Sequence, residues 1–293
     1  MKFRMLGVLL MSLLVALGSA AAKDVGSNSE SYLALGDSVP FGYIEEADYE
    51  YYYPANFVSY SDYLSGYLGG GWVVVNASFP GETTSSFLSP LAPDNGCHQY
   101  RSYFPLHETY ASIHSTQYTF ATGFLRLNLA TTPLVTIMLG VDDLLLLEEQ
   151  CNGNPQCIEN GLPEAYATAE ANMTQILAGL RGTGYMGSIV IVNYYSPDYS
   201  NQFDTQAIPG LNQAITAPAQ QYGADVADVF TAFQSAASNQ FALGNTCMAG
   251  LLAAANPQTS PPTCDIPPSV LGHRLIDSAI AELRQSPQRK AGR

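Results

Sequence analysis

The sequence predicts an α/β domain, a three-layer αβα sandwich around a central, mostly parallel five-stranded sheet. Short apolar, β-branched runs alternate with longer segments of helical period, the pattern that strand–helix–strand crossovers leave in a chain. With 293 residues, 47% hydrophobic and 12% charged, there is enough apolar material for one sizeable core. No internal repeat or low-complexity linker divides it.

Taken in order, strands are expected at Tyr32 to Leu35, Trp72 to Asn76, Leu134 to Leu139, Ile189 to Asn193 and Val226 to Val229. Helices are expected at Val58 to Leu68, Thr116 to Leu127, Pro163 to Leu180 and Leu211 to Tyr222. A closing helix follows Ser269 as its cap, with Val270, Leu271, Leu275, Ile276, Ala279, Ile280 and Leu283 on one face. His273 falls about a turn inside it, on the polar side. Two long segments, Tyr43 to Tyr63 and Pro90 to Ser115, are insertions suited to shaping a pocket.

The ends carry different signals. Lys2 and Arg4, an apolar run from Met5 to Leu17 and the small residues Gly18 to Ala22 have the three-part layout of a secretory signal peptide. That run is shorter than the roughly 20 residues needed to span a bilayer. The expected organisation is a leader over 1–22, one domain over 23–285 and a disordered tail over 286–293. The mature protein is then secreted or extracytoplasmic, without stable membrane insertion. The formal net charge is −14, and loss of Lys2 and Arg4 with the leader makes it more negative. Such a protein is repelled by phosphate backbones and anionic lipid, which argues against nucleic acid as a partner. The five cysteines are Cys97, Cys151, Cys157, Cys247 and Cys264, and export permits disulfides. Pairing Cys151 with Cys157 across a turn-rich segment, and Cys247 with Cys264 across a Pro-rich one, leaves Cys97 free. The spacings carry no zinc pattern, and no G-x-G-x-x-G or P-loop is present, so no metal and no cofactor are expected.

In an open parallel sheet, ligands bind beyond the carboxyl ends of the strands. Three such junctions are unusual here. Gly36, Asp37, Ser38 and Val39 follow the first strand and hold a serine hydroxyl at the sheet's edge. After the second strand, the segment from Asn76 to Thr83 contains Gly81, where a backbone N–H can approach an oxyanion. Gly140, Val141, Asp142 and Asp143 follow the third and place two carboxylates at the same rim.

GDSV, NASFPGETT and GVDD in this order, with CDIPPSVLGHRLI opening the last helix, resemble the successive blocks of the SGNH (GDSL) hydrolases. The resemblance runs from about Ser31 to Leu283. It implies the flavodoxin-like SGNH fold and hydrolysis of a small-molecule or polymer ester, of lipid or acylated carbohydrate, without a cofactor. Carried over position by position, it makes Ser38 the nucleophile, Ser38 and Gly81 backbone donors of the oxyanion hole, and Asp265 the acid of the triad. The family's third donor is an asparagine, and here that position is Asp142. Its histidine position is Pro267.

These departures strike different parts of the machinery. A serine hydroxyl is a poor nucleophile until a base takes its proton, and proline has no group to do so. Losing the base costs on the order of 10⁶ in turnover, while roughly 10³ to 10⁴ over water survives from the hole and binding. An ionised Asp142 repels the oxyanion, whereas a protonated one donates as asparagine would. His273 is the candidate substitute base, with His98, His107 and His114 of the second insertion behind it. The expected function is an exported serine ester hydrolase of weak or atypical turnover. The alternative is a catalytically inactive SGNH-fold protein that binds an acyl or glycan ligand. A third reading, a flavodoxin-like cofactor binder, lacks a phosphate-cradling turn.

Overall fold

The computed structural model describes residues 29–43, 53–69, 71–101, 105–108, 110, 115–201, 204–256 and 263–285. The leader, the tail and His114 lie outside the described residues. Five parallel strands form the main sheet: β1 (Glu30–Gly36), β2 (Trp72–Asn76), β3 (Leu134–Met138), β4 (Ser188–Val192) and β5 (Asp225–Ala227). Their order is β2-β1-β3-β4-β5, with every pairing parallel. The order reverses between β1 and β3, and that switch point is where this architecture opens a ligand crevice. The strands follow the expected runs within a residue or two. Every residue of β3 is buried, which requires cover on both faces and explains its unbroken apolar sequence.

The helices are α1 (Ser38–Phe41), α2 (Tyr60–Leu68), α3 (Thr84–Leu88), α4 (Cys97–Tyr100), α5 (Gln117–Asn128), α6 (Val141–Gln150), α7 (Pro155–Gly182), α8 (Asp204–Thr216), α9 (Val229–Ala237) and α10 (Val270–Gln285). Helices α2, α9 and α10 pack as one group, and α3, α5, α6, α7 and α8 as another, giving the two outer layers. A small antiparallel hairpin, β6 (Leu252–Asn256) and β7 (Thr263–Pro268), precedes α10. Among the described residues no helix is long and apolar enough to cross a membrane. Disulfides join Cys151 to Cys157 and Cys247 to Cys264, and Cys97 is free and buried, as the spacing suggested.

Several boundaries depart from expectation. Helix α7 begins eight residues early, because Asn154 caps it by accepting from the Cys157 N–H at 3.1 Å and Pro155 suits a first turn. It continues through Pro163, where one hydrogen bond is lost, and buries Ile158, Ala169, Met173, Ile176, Leu177 and Leu180. Helix α8 likewise runs through Pro209 but stops at Thr216, ahead of Pro218. Val229 belongs to α9 rather than to β5, since Asp228 caps that helix through the Thr231 N–H. In α10 the buried face carries Gly272, His273, Ile276, Asp277, Ile280 and Ala281. Val270 and Leu271 are exposed and His273 is 3% exposed, so the helix is rotated from the face its apolar residues suggested.

Candidate active site

Ser38 is held from three strands. Gly36 has φ +136°, and a β-carbon there would lie 1.8 Å from the Met138 carbonyl oxygen, so only glycine lets β1 run this close to β3. The Asp37 N–H then donates to that oxygen at 3.2 Å. The Asp37 carboxylate caps α1 by accepting from the Val39 N–H at 3.0 Å, and it also accepts a short hydrogen bond from the Tyr194 phenol beyond β4. Asn76 at the end of β2 donates to the Pro40 carbonyl at 2.7 Å. Ser38 opens the single turn of α1 with its backbone N–H unspent among the described residues. Burial raises the Asp37 carboxyl well above the ordinary carboxylate range, against the lowering effect of the Tyr194 hydrogen bond.

Gly81 is fixed from behind. It has φ +76°, and its backbone N–H is likewise unspent among the described residues. The next residue, Glu82, is buried and pairs with Arg101 at 3.1 Å while accepting from Gln117 at 2.8 Å. Gln117 also bonds both backbone groups of Gly36, at 3.0 and 2.7 Å. The glycine turn after β2 and the serine turn after β1 are therefore clamped to the same side chain. Loss of one member would leave a buried charge unpaired, which is costly in this setting.

The two carboxylates after β3 divide their work. Asp143 accepts from the Thr84 N–H at 2.8 Å and hydroxyl at 2.7 Å, tying α6 to α3. Burial lifts its carboxyl to about 6. Asp142 is 3% exposed; its Oδ1 accepts from Asn95 Nδ2 at 2.7 Å and its Oδ2 has no partner among the described residues. Burial first, and the neighbouring charge of Asp37 second, push the Asp142 carboxyl well above its usual range.

Ser38, Gly81, Asn95, Asp142 and Pro267 line one cavity of about 330 Å³. Pro267, at the position the family pattern gives to a histidine, lines the same cavity as Ser38, and the Tyr195 phenol donates to the carbonyl of the neighbouring Ile266 on β7 at 2.7 Å. Away from this polar end the cavity is walled by Leu144, Leu145, Ile158, Leu162 and Ile208 from α6, α7 and α8. Its lining holds three carboxyl groups, Asp142, Glu148 and Asp204, and no lysine, arginine or histidine among the described residues. Tyr43, Asn95 and Tyr100 come from the two insertions, which do help to shape the pocket.

The remaining candidates stand elsewhere. Asp265 is half-buried on β7 and does not line the cavity. His273 does not line it either. Its Nδ1 accepts from the Tyr60 N–H at 3.2 Å, between α2 and α10, and burial lowers its imidazole to about 3, so its free acceptor nitrogen is spent on α2 rather than offered to the cavity. His98 pairs with Asp94 on the surface, and His107 bonds the Phe41 carbonyl at 2.9 Å. Among the described residues no histidine lines the cavity, and no cluster of His, Cys, Asp and Glu is placed to hold a metal ion. Sequence reasoning missed Asn95, Tyr194, Glu82, Arg101 and Gln117. Tyr194 stands just past a strand end, which is the signal that could have found it; Asn95 in its Asp-Asn-Gly turn carried none beyond turn chemistry.

The model of the GDSL-like lipase/acylhydrolase family matches residues 34–275, which takes in all four junction blocks. The chain belongs to that family. Solved structures share its fold at low identity. A phospholipase A1 from Streptomyces albidoflavus NA297 superposes with a TM-score of 0.57 at 14% identity, covering 87% of this chain and 99% of that one. A lipase from a goat rumen metagenome gives 0.54 at 16%, with 87% and 97% covered. The acetylxylan esterase Axe2 from Geobacillus stearothermophilus gives 0.53 at 15%, with 89% and 96% covered. No curated protein matches the chain in sequence. As a member of the GDSL-like acylhydrolase family, the chain has an ester-hydrolase scaffold in which the glycine turn after β2 and the serine turn after β1 line one cavity.

Proposed function

We propose that the protein is an exported serine ester hydrolase with slow turnover, Ser38 being its nucleophile and the Ser38 and Gly81 N–H groups its oxyanion donors. The observation that carries this is a single cavity lined by Ser38, Gly81 and Pro267. Ser38 and Gly81 sharing that cavity supports the reading, and a proline at the family's histidine position supports slow turnover.

Hydrolysis then proceeds by bonding of Ser38 Oγ to the ester carbonyl carbon, while the carbonyl electron pair moves onto oxygen and rests on the two N–H groups. Collapse expels the alcohol and leaves an acyl-serine, which water cleaves. The serine and water must each give up a proton, and each leaving oxygen must receive one. With no imidazole among the described cavity residues, solvent carries these protons. The rate falls by the 10² to 10⁴ that a positioned acid–base group typically supplies, or by more. The apolar wall of α6 and α7 suits an acyl chain, and the acidic lining suits a neutral alcohol part. The leader layout at 1–22 and the two disulfides support export.

The test is hydrolysis of p-nitrophenyl butyrate by the mature protein, Ser38→Ala and Pro267→His, at pH 5 and 7.5. Wild type should exceed Ser38→Ala slightly, and Pro267→His should gain about 10²-fold or more. A Pro267→His protein no faster than Ser38→Ala would sink the hydrolase reading. Pro267 also supports a second reading, a non-catalytic acyl or glycan binder. In that case wild type and Ser38→Ala are equally inert, and an acyl ester raises the melting temperature of both alike.

A further inference from the structure

We propose that Asn95 is the side-chain donor of the oxyanion hole, replacing in space the asparagine that position 142 lacks, and that Asp142 is the positioning residue that aims its amide. This rests on the serine-hydrolase reading above. Asn95 and Asp142 line the cavity that holds Ser38 and Gly81, although 47 residues separate them in the chain. The Asn95 Nδ2 carries two hydrogens; one goes to Asp142 Oδ1 at 2.7 Å, and the other has no partner among the described residues. An amide fixed on one hydrogen and idle on the other is what a preorganised donor needs, because it pays no reorganisation when charge develops.

The loop that carries Asn95 is bonded directly to the Gly81 turn. The Asn95 N–H donates to the Gly81 carbonyl at 2.9 Å. A β-carbon on Gly81 would come within 2.4 Å of the Asn95 carbonyl oxygen, so the two backbones touch. Thr83 anchors the same loop by donating to the Pro93 carbonyl at 2.8 Å. The Gly81 N–H and the Asn95 amide therefore move as one unit.

An aspartate at 142 is compatible with this role. Burial, and then the acidic neighbours Asp37, Asp143 and Glu82, act against the lowering effect of the Asn95 hydrogen bond, and Oδ2 is buried without a partner among the described residues. Both conditions favour the neutral carboxyl, with the proton on Oδ2 and no charge opposing the oxyanion. Oδ1 accepts from Asn95 in either state, so the amide stays aimed.

The test uses the Pro267→His protein, whose turnover isolates the hole from the missing base. With p-nitrophenyl butyrate, adding Asn95→Ala should lower kcat by about 10² to 10³ while KM stays within a few-fold, the usual effect of one oxyanion donor. Asp142→Asn restores the family's amide at that position, and against it Asn95→Ala should cost less than about tenfold. Asn95→Leu, isosteric and without donors, replaces the alanine variant if a thermal melt shows unfolding. An active Pro267→His protein whose kcat is unmoved by either Asn95 variant overturns the proposal, as does an equal loss with aspartate and asparagine at 142. Absence of Ser38-dependent turnover in Pro267→His overturns the hydrolase reading first, so the two failures are distinguishable.

Discussion

Replacing His273 with asparagine should exchange stability at neutral pH for resistance to acid. His273 is 3% exposed, its Nδ1 accepts the Tyr60 N–H, and its Nε2 is buried without a partner among the described residues. Protonation would put a hydrogen on Nδ1 facing that N–H and leave a charge where solvent cannot reach it. Burial accordingly lowers the imidazole from 6.5 to about 3. A folded-state value below the unfolded one means stability that is full above about pH 6.5 and drains away as pH falls toward 3. A displacement of this size corresponds to about 5 kcal/mol in total, of which about 3 kcal/mol is gone by pH 4. Asparagine keeps an oxygen near the Nδ1 position but cannot titrate, and the smaller side chain costs about 1–3 kcal/mol of packing. Wild type should therefore be more stable at pH 7.5, and the variant equal or better at pH 4. Urea unfolding followed by the fluorescence of Trp72, the only tryptophan, measures both proteins at each pH. The same carboxylates titrate in both, so their contribution cancels in the difference. A wild-type advantage that shifts by less than about 1 kcal/mol between pH 7.5 and 4 would refute the reasoning. Hydrolysis should be unaffected at pH 7.5, since His273 does not reach the cavity.

Gly81→Ala should lose about 2–4 kcal/mol, because φ +76° is strained for alanine and its β-carbon meets the Asn95 carbonyl; thermal melts check this, and a neutral result would mean that the turn relaxes freely. Asp37 acts in the opposite sense to His273: its folded-state value is raised, so its contribution is full below about pH 4 and is lost as pH climbs toward neutrality. Unfolding free energy should thus decline between pH 4 and 8 less steeply in Asp37→Asn than in wild type, by about 2–4 kcal/mol, and parallel curves would count against it. With only acidic charges in the described lining, kcat/KM for an ester bearing a carboxylate should fall about tenfold or more below that of a neutral ester of equal size, and added salt should narrow the gap.

The strands were legible from the chain because a doubly covered parallel sheet demands unbroken β-branched runs, as in Leu134–Met138. The serine and glycine turns were legible for a related reason: both sit at strand ends, within four or five residues of the runs that predict them. Both disulfides close loops of short span, which local composition can suggest. Helices α6 and α9 went unseen, since Leu144 to Leu147 is apolar in every direction and Val229 reads as a continuation of β5 until Asp228 is recognised as a cap. What only the tertiary structure decided are the pairings of residues far apart in the chain: Asn95 on Asp142, Tyr194 on Asp37 and His273 on Tyr60, across 47, 157 and 213 residues. No local period encodes such meetings, because they follow from how the crossovers bring different strand ends to one rim. The sequence by itself determined that this chain has a serine and a glycine at the positions of the family pattern and a proline at the position of its histidine. The packed fold decided that Pro267 and Ser38 line one cavity, that His273 is buried against Tyr60 outside that lining, and that an asparagine from another loop joins it.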